Sequence, residues 1–263
     1  MLFDDLLAIS FISGVGDKTL KKVSQFDTAR QILALTEDEL YDVFHYKKTA
    51  EEFACHFDDY RELAKQKRKA LADSGAYVLH CDNSKYPQRL LTQEEYPTFL
   101  FCKGNLELLN STASAAISGP RKASPQGLDN AARTATQLNR HGITVVSGLA
   151  VGIDTAAHTA CLNTGNTIAV LPFFASVYPQ QNTELAQDII NRGGLVVYRN
   201  YDQFNIKYQL LSRDKVIVGM SDALYVPDAF STDSGTAYTV NLALEAEKTV
   251  YTYKNNKYQR LSK

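Results

Sequence analysis

The sequence predicts an α/β fold, a parallel sheet with helices on both faces, preceded by a small all-α module. Three observations carry this. Apolar residues recur at helical spacing through residues 1–70, in Leu6, Leu7 and Ile9, Leu20 and Val23, Ile32 and Leu33, then Leu40, Val43 and Phe44. After Gly75 the period changes, and short β-rich runs alternate with helical segments. The strand-like runs also feed glycine-bearing turns that lead into helices, as βαβ units require.

Within the helical module, predicted to span 1–70, Thr36 followed by Glu39 fits a capping box before Leu40. A long polar helix follows over 49–74, and Gly75 marks its end. The second domain, 71–263, is predicted to run as strands at 76–80, 98–102 and 114–117, a helix at 126–141 and a strand at 143–146. Next come a helix at 155–162, a strand at 167–171, a helix at 184–192 and a strand at 195–198. A helix at 215–220, a strand at 223–226, a helix at 236–246 and a last strand at 249–253 complete it.

Composition narrows the function classes. Hydrophobic residues make up 44% of 263, enough for a sizeable core, and the formal net charge of −1 excludes a protein that coats nucleic acid by bulk charge. A local basic groove remains compatible with that charge. Cys55, Cys81, Cys102 and Cys161 form no CxxC pair, so neither a metal nor a disulfide framework is predicted, and a reducing, cytoplasmic location is expected. No basic segment precedes the first apolar stretch, which reads as no signal peptide, and no run reaches the ~18 apolar residues of a membrane helix.

Three turns offer anion chemistry. In Val145-Val146-Ser147-Gly148-Leu149-Ala150-Val151-Gly152-Ile153-Asp154, two glycines would let backbone approach a ligand at a helix N-terminus, with Asp154 or Thr155 as cap. The spacing is not a dinucleotide fingerprint, and a ligand-free tight turn stands as an equal alternative. Ser118-Gly119-Pro120-Arg121-Lys122 ends another strand at the sheet's carboxyl edge, with Ser124, Pro125 and Gln126 opening a helix. Ser234-Gly235-Thr236 repeats the pattern, and Arg213 and Lys215 could add charge. Near the start, Ile12-Ser13-Gly14-Val15-Gly16 has a helix-hairpin-helix pattern, favoured here as a turn between packed helices. His158 falls one helical turn after Asp154, more readily a hydrogen-bonded structural pair than an acid/base couple. No catalytic constellation emerges, so no enzyme and no cofactor is predicted. Exposed tyrosines could stack on unpaired bases, but which of the 15 are exposed is not legible.

Ser147-Gly148-Leu149-Ala150, Gly152-Ile153-Asp154 and Ala156-Ala157-His158 closely resemble the SGLAxGIDxxAH signature of the DprA/Smf family of DNA-processing proteins. Tyr86-Pro87, Pro97, Leu100-Phe101 and Gly104-Asn105 upstream resemble that family too. So do Thr167 to Leu171, Tyr178-Pro179, Asn182, Leu185, Arg213 to Ala223, Ser234-Gly235-Thr236 and Ala243-Leu244-Glu245 downstream. The resemblance implies an extended Rossmann-like fold, preceded by a SAM-like or helix-hairpin-helix module, that binds single-stranded DNA in a positive pocket. It also implies homodimers that help load RecA recombinase in natural transformation. Arg121, Arg213 and Lys215 match the family's basic positions, and Ser118, Gly119, Lys122, Ser147, Gly148, Gly152, Ser234, Gly235 and Thr236 complete the expected DNA-phosphate set. Departures are Pro120, which lacks an N–H, Val151 in place of arginine, the bulky Pro172-Phe173-Phe174-Ala175, and Asp214 between two cations. The alternative is a nucleotide-binding or nucleotide-hydrolysing enzyme of the LOG-like Rossmann group, whose PGGxGT turn is here Asp233-Ser234-Gly235-Thr236.

Overall fold

The computed structural model describes residues 1–255 and 257–261. The chain divides into two compact units, residues 1–81 with 97–99, and residues 82–96 with 100–263.

The first unit holds helices α1 (Phe3–Ser10), α2 (Asp17–Val23), α3 (Ala29–Leu33), α4 (Glu37–Phe44) and α5 (Lys47–Asp73), then strand β1 (Ala76–His80). Its core gathers most of the periodic apolar positions: Leu6, Leu7, Ile9, Leu20, Val23, Ile32, Leu40 and Phe44 are buried, while Val43 is part-buried and Leu33 stays 41% exposed. Phe44 and Phe53 pack with ring centroids 4.9 Å apart, locking α4 against α5. Thr36 and Glu39 form the reciprocal capping box of α4. Gly14, at φ +89°, sits where a Cβ would lie 2.6 Å from Thr49 Oγ1, and that hydroxyl donates to Ser13 C=O at 3.0 Å. The glycine hairpin is thus a close turn against α5.

The second unit contains α6 (Gln88–Leu91), β2 (Phe99–Gly104, less its first residue), β3 (Ser114–Ile117), α7 (Pro125–Arg140), β4 (Thr144–Ser147), α8 (Ile153–Cys161) and β5 (Thr167–Phe173). It continues with α9 (Thr183–Asn191), β6 (Leu195–Asn200), α10 (Ile206–Gly219), β7 (Ala223–Val226), α11 (Gly235–Glu245), β8 (Thr249–Lys254) and β9 (Lys257–Leu261). Its strands lie in the order β2-β6-β5-β4-β3-β7-β8-β9. The six from β6 to β8 are mutually parallel, while β2 on β6 and β9 on β8 are antiparallel.

The parallel sheet expected from the sequence holds over these six strands, and an antiparallel strand flanks them at each margin. The central order is that of a doubly wound sheet: from β3 the chain winds outward to β6, then returns to place β7 on the other side of β3. The topological switch point falls between β3 and β7. Strands β3, β4 and β5 are buried on both faces, which explains near-continuous apolar runs such as Val145-Val146 and Ile168–Leu171, whereas β7 alternates buried and part-buried residues. Ala131, Ala135 and Leu138 place a small-residue stripe of α7 against Ile153, Ala157 and Cys161 of α8.

Two elements depart from the expectation. Helix α10 begins at Ile206, not at 215, because its core-facing positions include Gln209 and Arg213, both buried, which a search for apolar periodicity passes over. Strand β9 follows the run predicted to be last. It pairs only along one edge, and its polar, part-exposed residues carry no apolar alternation.

Candidate nucleic-acid interface

The three glycine turns meet at the carboxyl edge of the sheet around the switch point. Ser118 N–H donates to Tyr225 C=O at 3.1 Å, tying the β3–α7 turn to β7. Gly152, at φ +87°, forms the N-cap of α8, and a Cβ there would lie 2.6 Å from the carbonyl oxygens of Pro120 and Arg121. A side chain at 152 would force the β3 and β4 turns apart. A Cβ on Gly119 would likewise meet Ile153 at 2.5 Å. These glycines serve loop-on-loop packing.

In two of the three turns the chain's own carboxylates take backbone donors, Gly148 and Ala150 N–H in one and Ser124 N–H in the other. Asp154 does not cap α8 from outside, as the sequence suggested; Gly152 occupies that position, and Asp154 lies in the first turn. Its Oδ2 accepts from Gly148 N–H at 3.1 Å and Ala150 N–H at 3.2 Å. Asp228 accepts from Ser124 N–H at 2.7 Å and Ser124 Oγ at 3.0 Å, so a carboxylate also sits at the start of α7. Ser234 Oγ accepts from Ala237 N–H at 3.2 Å and caps α11. Asn182 Nδ2 donates to Leu149 C=O at 2.8 Å and Thr155 Oγ1 at 2.9 Å, holding Leu149 in the left-handed region at φ +57°.

Several expected contacts are thereby reassigned. Ser147 is fully buried and donates its hydroxyl to Ile117 C=O at 2.6 Å, and Thr236 is buried within α11. Gly148 is buried, and its missing Cβ makes room for Arg213 Nη1 rather than for a ligand. Arg213 itself lies beneath the turn, its side chain 7% exposed, with Nε 3.3 Å from Asp214. That burial makes it the internal cation of Asp154 and Asp214. Lys215 points to a different cavity of about 400 Å³ lined by Glu94, Glu95, Glu245 and Glu247, and donates to Glu95 at 2.9 Å. The expected Asp154–His158 pair does not form: Asp154 Oδ2 is held by the Gly148 and Ala150 amides, and His158 Nδ1 meets Thr167 Oγ1 at 2.8 Å. Arg121, Lys122 and Gly235 are exposed, and Ser118, Gly119 and Ser234 are half-buried at the rim. Phe173 is buried within β5, while the Phe174 ring turns onto Tyr198 and Tyr201 beside β6, at 5.0 and 5.5 Å.

The rim also carries residues that sequence reasoning missed. Phe204 and Tyr208 are 61% and 59% exposed at the start of α10, with ring centroids 6.2 Å apart and Lys207 exposed between them. Large aromatics left in water at a strand's carboxyl end are the informative exception to burial. No sequence pattern separates them from the tyrosines that pack inside.

Burial dominates the titration of the groups beneath the turns. It pushes Asp154 up to about 6 from 3.8, against the pull of Arg213 and the two amides, and it lowers His158 to about 4 from 6.5. Burial also raises Asp214, opposed by Arg213, Thr239 and Arg121. The first two have opposite linkage signs. As pH falls from about 6.5 to 4, the unfolded chain protonates His158 before the native state can, and stability is lost; between about 6 and 4 the native state takes up the Asp154 proton first, and stability is gained. Each amounts to about 3 kcal/mol in isolation. His158→Asn, which retains a partner for Thr167, is expected to become more stable on acidification from pH 6.5 to 4.5 relative to the parent. Urea midpoints at the two pH values check this, and an unchanged difference would remove His158 from the balance.

A doubly wound parallel sheet with helices joining its strands, exposed cations at its switch point and exposed aromatics beyond β6, defines a Rossmann-like domain. Residues 77–263 match the family of DNA recombination-mediator protein A, and the chain belongs to that family. It is 37% identical over 170 residues to DNA processing protein DprA of Streptococcus pneumoniae, covering 63% of this chain and 58% of that protein. Against Protein Smf of Escherichia coli it is 33% identical over 178 residues, 66% of this chain and 47% of the relative. Against Protein Smf of Borreliella burgdorferi it is 29% identical, covering 73% and 62%. The matched region thus spans about half to three-fifths of these relatives. Among solved structures, the S. pneumoniae DprA superposes with a TM-score of 0.73 at 26% identity, covering 96% of this chain and 86% of that one. A DNA processing protein A from Helicobacter pylori, solved to describe its single-stranded DNA binding mode, gives 0.62 at 26% identity, covering 70% and 84%.

Proposed function

We propose that this chain is a DNA-processing protein that binds single-stranded DNA along the carboxyl rim of the second unit, without catalysing a reaction on it. The observation that carries the reading is the exposed pair Arg121 and Lys122 at the switch point, with the exposed Phe204–Tyr208 pair on the same edge of the sheet. Cations on a strand's phosphates together with aromatic faces for unpaired bases are what a sequence-tolerant single-strand site needs. Duplex DNA keeps its bases stacked inside and gives the aromatics nothing to hold. The internally satisfied turns support a site that meets phosphate by side chains, with Gly235 at the open start of α11 as a further backbone approach.

Assistance to RecA recombinase, protection of incoming DNA in natural transformation, a homodimer and a cytoplasmic location belong to the same proposal. So does the division of labour in which residues 71–263 carry DNA and 1–70 form an accessory module. Among the described residues no helix is long and apolar enough to cross a membrane, and all four cysteines are free thiols.

Fluorescence anisotropy with matched single- and double-stranded oligonucleotides over a salt series tests the reading. Single-strand affinity is expected to exceed duplex affinity by at least about tenfold, and Phe204→Ala with Tyr208→Ala to weaken it by about 1–3 kcal/mol per base lost from stacking. Equal affinity for both forms, untouched by the aromatic substitutions, would refute it.

A further inference from the structure

We propose that the 147–152 turn is a small-oxyanion pocket whose permanent occupant is the chain's own Asp154 carboxylate, and that this residue closes the second unit to free phosphate and nucleotide. Everything around the carboxylate is what an external oxyanion would require. One oxygen takes two successive-turn amides, Gly148 N–H at 3.1 Å and Ala150 N–H at 3.2 Å. It lies at the N-terminus of α8, the positive end of a nine-residue helix. A guanidinium completes the set: Arg213 Nη1 and Asp154 Oδ2 both crowd the point where a Gly148 Cβ would be, the latter at 3.0 Å. Arg213 is more than nine-tenths buried, and among the described residues its Nε makes no hydrogen bond, lying 3.3 Å from Asp214 as an ion pair. A buried guanidinium beside the carboxylate oxygen that two backbone amides hold makes an anion receptor that the fold has filled from within.

The chemistry differs from that of nucleotide-binding proteins built on doubly wound sheets. There the strand–turn–helix amides are left for a phosphate. Here a carboxylate spends them, so a polyanion is met outside the turn. The inference rests on the pocket's own geometry and stands whether or not the rim binds DNA.

Removing the occupant is the test. In Asp154→Ala the pocket should accept formate, the side chain's missing head. Added formate is expected to raise Tm by about 4 °C at ten times its Kd, relative to chloride at equal ionic strength. Acetate should act less and butyrate not at all, because the cavity is the size of one carboxylate. The parent protein and Asp154→Asn, whose amide oxygen can still accept from Gly148 and Ala150, should not respond. If Asp154→Ala is too unstable to purify folded, refolding yield in formate against chloride gives the same reading. Rescue by formate in either form, confined to that variant, supports the proposal. A variant that ignores formate in both measurements overturns it, and so does a parent protein stabilised equally.

Discussion

Reversing both rim charges, Arg121→Glu with Lys122→Glu, is expected to lower affinity for a single-stranded oligonucleotide by at least about a hundredfold near 0.1 M salt, about tenfold or more for each. Both side chains are exposed on the β3–α7 turn, so the substitution removes attraction and adds repulsion without disturbing a packed core. The neutral pair Arg121→Ala with Lys122→Ala separates charge from folding. It should reduce the magnitude of the log-affinity against log-salt slope by about 1.4, or ~0.7 for each phosphate contact on a single strand. Arg121 is also close enough to buried Asp214 to pull its pKa down, so part of its charge is spent internally and the larger loss is expected from Lys122. Anisotropy titrations at four salt concentrations measure both quantities. An unchanged slope in the alanine pair would take the strand off this rim.

The second large effect is on stability. Arg213→Ala leaves the carboxylates of Asp154 and Asp214 buried without their cation, which costs about 3–5 kcal/mol, a large share of a domain's total stability. The urea midpoint should fall accordingly, and any loss of DNA affinity should follow the unfolded fraction. The family motif reads the same arginine as a phosphate contact, and the two readings diverge cleanly. A folded Arg213→Ala with an unshifted midpoint and a lost oligonucleotide complex would place the guanidinium on DNA. Lys215, paired with Glu95 in an acidic cavity, serves as the comparison: Lys215→Ala should move neither quantity by much, since a part-exposed ion pair contributes about 1 kcal/mol or less.

These two residues show why motif spacing locates a site more readily than it assigns roles within it. Arg213 and Lys215 are two positions apart, and a helix turns about 200° over that interval, so they cannot serve one face. The sequence alone cannot tell which of them meets the sheet. Gly148 and Gly152 show the same limit. Their need for a missing Cβ was legible, but its cause was the guanidinium of a residue 65 positions on and the carbonyls of another turn.

The sequence by itself determined the alternation of strands and helices, the turns at the sheet's carboxyl edge and the family, because periodicity and turn chemistry are local and survive without knowledge of neighbours. Tertiary structure alone decided the doubly wound order with its antiparallel margins, the full length of α10, and which members of the motif face solvent. It also decided that Asp154 and Asp228 take donors a phosphate could have used, and that Phe204 and Tyr208 stay in water. The physical reason is one and the same: burial and hydrogen-bond competition depend on groups brought together from distant parts of the chain, and no window along the sequence contains both partners.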